Sequence, residues 1–171
     1  IKLGKTHLEQ YRNFSNKLVN ATKFLQMKAD TFEDLTDITL RTDLGKYMAS
    51  RLALCTEESR QNLDVYRFND VASILYRFMW NEFCDWGIEL SKVDTQSAIE
   101  LGSIFKEALK LLHPFMPYLT EKLYKEIDAN NRSESLMIQS FPKETKRDLT
   151  IEKQFETIID AIVSLRRAKV P

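Results

Sequence analysis

Apolar positions along this chain recur mostly three and four residues apart, the spacing that lines one face of an α-helix. Leu8, Tyr11, Ser15, Leu18, Thr22 and Leu25 share a face of a first helix that Thr6 and Glu9 open as a capping box and that reaches about Lys28. A polar linker over residues 30–41 leads to a second helix from about Thr42 to Leu63, with Leu44, Met48, Leu52 and Cys55 turned inward. After Tyr66-Arg67-Phe68, Asn69 is the expected N-cap of a third helix ending near Ser91. Ala72, Leu75, Met79, Phe83, Trp86 and Leu90 form its main stripe. Val71, Ile74 and Phe78 add a second, which predicts neighbours on more than one side and a central position.

Ser97 with Glu100 reads as a capping box for a fourth helix through Leu101, Phe105, Ala108 and Leu112, ended by Pro114. Pro117 suits the first turn of a fifth helix to about Ile127. Residues 128–148 are polar apart from Leu136-Met137-Ile138, expected to be a short extended segment before Phe141-Pro142. A last helix, about Ile151 to Arg167, carries Phe155, Ile158, Ile159, Ile162 and Leu165 and must bury that stripe somewhere. The expected fold is therefore all-α. It is an antiparallel helical bundle over residues 1–130, followed over 131–171 by a linker and the start of a further, truncated subdomain.

Composition narrows the chemistry. With 171 residues and 43% hydrophobic content the chain is long enough to bury a core, and four Gly and four Pro are too few turn formers for an all-β fold. Lys plus Arg balances Asp plus Glu at 25 each, so any attraction for nucleic acid has to be local. Cys55 and Cys84 fit neither a disulfide framework nor a metal-ligand spacing and read as core thiols in a reducing compartment. No apolar run approaches the roughly 20 residues of a membrane span, and the N-terminus lacks a signal-peptide pattern, so a cytoplasmic protein with no membrane partner is expected. A start at Ile1 and an end at Pro171 suggest a piece of a longer protein.

The charge is uneven at the beginning of the chain. Residues 1–28 hold Lys2, Lys5, Arg12, Lys17, Lys23 and Lys28 against one acid, Glu9. Stepping about 100° per residue from Tyr11, residues Asn13, Asn16, Lys17, Asn20 and Phe24 fall more than about 120° from the apolar face, which predicts an unusually exposed Phe24. A ring for base stacking, amides for base edges and ammonium groups for phosphates are what an unpaired RNA loop requires. The plain alternative is that Phe24 covers the following linker or packs on another helix while the lysines are simply solvated.

Other chemistry is sparse. His7 and His113 lack a carboxylate or cysteine cluster and read as cap or packing residues, and the scattered Gly4, Gly45, Gly87 and Gly102 form no phosphate loop. Asp85 and Glu89, four residues apart, have the spacing of an acid–base pair, yet on a helix such carboxylates more often form a solvated or ion-paired edge. From the residues alone this is a binding or structural domain rather than a catalyst, with a helical protein-interaction module as the competing reading.

Several blocks in order resemble one family. Tyr11-Arg12-Asn13-Phe14, Asn16-Lys17-Leu18, Asn20-Ala21 and Lys23-Phe24 are similar to the first helix of the anticodon-binding domain of valyl-tRNA synthetases, which are class I aminoacyl-tRNA synthetases. Tyr66-Arg67-Phe68-Asn69 with Trp80 to Trp86 and Glu89 resembles the family's third helix, and Leu111 to Glu121 resembles its His-Pro-Phe-Met-Pro block. Ser135 to Ile138 with Phe141-Pro142, and Val163 to Pro171, are similar to the passage toward the C-terminal region. Leucyl and isoleucyl enzymes share the architecture but fit these blocks less well. Val19 and Gly87 depart from the pattern, each standing where the family commonly has an aromatic.

The resemblance implies a parent that joins valine to its tRNA with ATP and magnesium, using catalytic and editing domains in cis, and that is expected to be a monomer. Neither of the family's two catalytic motifs occurs here, so no cofactor is expected in this chain. Its implied role is to hold the anticodon stem and loop of valine tRNA. The residues carried over as tRNA-binding are Arg12, Asn16, Lys17, Asn20, Lys23 and Phe24.

Overall fold

The structure, a computed structural model, describes residues 5–129, 135–136, 141–143 and 145–169. Its helices are α1 (Lys5–Gln26), α2 (Asp43–Asp64), α3 (Phe68–Arg77), a π-helical segment (Phe78–Ile88), α4 (Glu89–Ser91), α5 (Thr95–Leu112), α6 (Pro117–Ile127) and α7 (Leu149–Lys169). No strand occurs among the described residues, so the all-α expectation holds. Phe14 meets Trp80 and Lys17 meets Asp85, so α1 runs parallel to the third helix, while Arg51 reaches Glu82 and Met48 lies against Gly87, so α2 runs antiparallel to it.

The inward faces of α2 and α5 follow the expected spacing: Leu44, Met48, Leu52 and Cys55, and Leu101, Phe105, Ala108 and Leu112, are all buried. The third helix is central but is not a regular α-helix. Val71, Leu75, Met79, Phe83, Gly87 and Ser91 stand four apart and are all buried. At 3.6 residues per turn, each step of four overshoots by about 40°, and the stripe would wind about 200° around the helix. The wider turns of the π segment cancel that drift and keep both stripes facing their partners.

Helix starts are where expectation and structure part. Thr6 lies inside α1, which is already helical at Lys5, and α3 begins at Phe68 with Arg67 rather than Asn69 in the N-cap position. Asp94, not Ser97, caps α5 by accepting from the Gln96 amide at 3.1 Å. Glu100 is drawn elsewhere: its Oε1 accepts from the backbone amides of Arg41 and Thr42 at 3.1 Å each and from the Thr42 hydroxyl at 3.0 Å, closing the start of α2. A distant helix end with unpaired amides outcompeted the local box.

The linker after α1 is held down by a buried cation. Phe32 donates its amide to the Ile127 carbonyl at 2.7 Å and accepts from Ala129 at 3.0 Å, while its ring lies where a side chain on Gly102 would stand, within 2.1 Å of an added Cβ. The Lys106 ammonium, 1% exposed, donates to the Phe32 carbonyl at 2.9 Å and pairs with Asp34 at 2.9 Å and Asp128 at 2.8 Å.

The start of α7 docks on α2. Glu152 accepts from Ser50 at 2.6 Å, Arg51 at 2.9 Å and Arg147 at 2.8 Å, and Phe155 stacks on Tyr47 at 4.6 Å. Burial pushes the Glu152 carboxyl up, but the bonds from Arg147, Ser50 and Arg51 outweigh it and hold the pKa down to about 2. Ile158 and Leu165 on the expected stripe stay largely exposed. Leu136 of the expected extended segment is buried, and Met137 and Ile138 lie outside the described residues.

Candidate functional site

The buried face of α1 keeps Leu18, Thr22 and Leu25 of the expected stripe but adds Phe14 and Ala21 in place of Leu8 and Tyr11. Leu8 and Tyr11 are 52% and 54% exposed because the first turns of α1, residues 6–13, are covered by no helix among the described residues. The true face is turned about 40° toward Phe14 and Ala21. That rotation moves Lys17 and Phe24 from the back of the helix to its flank, and the expected strong exposure of Phe24 is corrected to half-buried, packed against the core.

On that flank α1 and the π segment leave an open groove of about 540 Å³. One wall is Asn13, Asn16, Lys17, Asn20, Ala21 and Phe24; the other is Trp80, Cys84 and Ile88, with Lys92 at the end. Underwinding of the third helix is what aims Trp80, Cys84 and Ile88 at one side together. The Lys17 ammonium sits 3.9 Å over the Trp80 ring and pairs with Asp85 at 2.5 Å. Trp80 is itself stacked with Tyr76 at 5.6 Å and with Phe14 at 6.4 Å, so its ring is held rather than free to swing. Lys28 reaches to 5.6 Å over the Phe24 ring.

Of the six residues carried over from sequence, Asn16, Lys17, Asn20 and Phe24 line this groove. Arg12 and Lys23 are exposed on α1 outside it. Trp80, Ile88 and Lys92 were not singled out as site residues. Trp80 lies outside both stripes read as core in the third helix, the one available signal, but two stripes on one helix leave little surface to read with a 3.6 period.

The groove offers aromatic faces, amides and ammonium groups, a set for stacking, for hydrogen bonding to planar polar edges and for anions. It offers no nucleophile. Burial pushes the Cys84 thiol, like that of Cys55, up to about 12, which keeps both protonated. Asp85 and Glu89 do not form an acid–base pair: each holds a lysine, Asp85 on Lys17 and Glu89 on Lys92 at 2.9 Å. His113 accepts the packing role expected of it, with Nδ1 2.8 Å from the Thr120 hydroxyl. Among the described residues no group of three His, Cys, Asp or Glu side chains stands close enough to hold a metal, and no helix is long and apolar enough to cross a membrane.

A helical bundle presenting one aromatic, amide-rich and cationic groove is a binding domain. Residues 45–170 match the family described as the anticodon-binding domain of tRNA ligase, and the chain belongs to that family. Over 171 residues it is 59% identical to the valine--tRNA ligase of a Nitratiruptor species, covering 99% of this chain and 20% of that protein. It is 53% identical to the valine--tRNA ligase of Wolinella succinogenes, with 99% and 19% covered, and 50% identical over 173 residues to that of Helicobacter pylori (strain 26695), with 99% and 20% covered. The resemblance to the valyl-tRNA synthetase domain is thus borne out, and the chain spans about one fifth of the length of these curated relatives.

Proposed function

We propose that this chain is the anticodon-binding part of a valine–tRNA ligase and that the groove between α1 and the π segment receives unpaired anticodon-loop nucleotides of valine tRNA. The observation that carries this reading is the convergence of Asn16, Asn20, Lys17 and Phe24 with a braced Trp80 along one open groove. Phe24 offers a ring face to a base, Trp80 holds the Lys17 ammonium beside it, the asparagine amides meet base edges, and the lysines meet phosphates. Arg12 and Lys23, exposed beside the groove, contribute to the backbone track on either side. ATP and magnesium belong to the catalytic part of the parent, which acts in the cytoplasm as a monomer.

The test is titration of the protein with a valine tRNA transcript at low salt. Loss of one stacked base contact is worth about 1 to 3 kcal/mol, so Phe24→Ala is expected to weaken binding about 5- to 150-fold. Lys17→Ala should weaken it and reduce its dependence on salt. Affinity unchanged in both variants would remove the groove from the interface. Binding that ignores salt and RNA alike would favour a protein partner instead.

A further inference from the structure

Both cations at the two ends of the groove are already occupied. Lys17, whose side chain is 24% exposed, is paired with Asp85, 48% exposed; Lys92, 51% exposed, is paired with Glu89, 52% exposed. The two carboxylates stand four residues apart on the third helix, outside the groove's own lining but each within reach of one of its lysines. A carboxylate and a phosphodiester offer an ammonium the same kind of partner, an oxygen anion at hydrogen-bond distance.

We propose that Asp85 and Glu89 are intramolecular stand-ins for RNA phosphates: they hold Lys17 and Lys92 in the free protein and are displaced from them when the groove takes a nucleotide strand. This rests on the anticodon reading of the groove. Exchange requires weak incumbents, and exposed ion pairs of this kind contribute little, since water screens them and both side chains lose freedom. It also requires that the cation stay in place when its partner leaves. Lys17 is retained by the Trp80 face, because the attraction of an ammonium for an indole ring does not depend on Asp85. Both carboxylates are exposed and have water to turn into.

The arrangement has a consequence for selectivity. A chain with equal numbers of acidic and basic residues, whose groove lysines are already paired, has little affinity for nucleic acid in general. An RNA that also offers bases to the rings and amides gains enough to evict the carboxylates; a bare polyanion does not. Asp85 and Glu89 are therefore specificity-determining residues that act by competing for the lysines.

Removing the competitor should raise affinity. With a valine tRNA transcript, Asp85→Asn and Glu89→Gln are each expected to bind about 2- to 5-fold tighter, the size of an exposed ion pair. An unrelated tRNA transcript should gain at least as much, so discrimination between the two falls. The gain from Asp85→Asn should vanish when Lys17 is already Met, and that from Glu89→Gln when Lys92 is Met. Weaker binding by the single variants would make the carboxylates positioning groups for the lysines and overturn the proposal, as would unchanged binding while Phe24→Ala and Lys17→Ala still lose affinity. If Phe24→Ala and Lys17→Ala are silent as well, the groove reading itself fails and takes this inference with it.

Discussion

Replacing Lys106 by Met keeps most of the side-chain volume and removes a cation that pairs with two buried carboxylates and donates to a carbonyl. Asp34 and Asp128 are 8% and 4% exposed, so water can replace little of what the ammonium supplies. Breaking a buried pair from one side costs about 3–5 kcal/mol, because the penalty is that of a buried charge that has lost a partner rather than the worth of the bond. For 171 residues the unfolding entropy near the melting temperature is about 360 cal/mol/K, which converts this loss into a fall of about 8–14 °C in Tm. Denaturation followed by far-UV circular dichroism should show the midpoint falling with an unchanged slope. The diagnostic variant is Lys106→Met combined with Asp34→Asn and Asp128→Asn, which removes all three charges and should regain at least half of the loss. A loss under about 1 kcal/mol for the single variant, or no recovery in the triple, would mean that the site is wet and that the linker is held by packing alone.

Two further outcomes follow from the same packing. Gly102→Ala drives a methyl group to within 2.1 Å of the Phe32 ring, and overpacking of this kind costs about 1–3 kcal/mol; a thermal melt checks it, and pairing it with Phe32→Leu should lessen the damage. Glu152 has a folded pKa lowered from 4.5 to about 2, so its contribution is complete above about pH 4.5 and is lost as the pH falls toward 2. Stability measured across that window should decline, and Glu152→Gln should remove about 2 kcal/mol at neutral pH while flattening the decline; an equal acid response in the variant would place its origin elsewhere.

The sequence by itself determined which segments are helices and, for α2 and α5, which face is buried, since Leu44, Met48, Leu52, Leu101 and Phe105 repeat at the helical period and regular helices keep that register. It also carried the family, through blocks of side chains whose order survives without any coordinates. Only the tertiary structure decided the rest. Tyr11 has the right azimuth for the core but no helix beside it, and exposure depends on where neighbours end. Glu100 satisfies the cap of α2, 58 residues away from Thr42, because unpaired amides across the bundle offered more than its own helix start. The π segment was hidden because a stripe repeating every four residues is read as a slightly drifting α-helix until its partners show that it does not drift. The groove follows from that underwinding together with the turned face of α1: both are relative orientations of helices, a quantity that spacing along one chain does not contain.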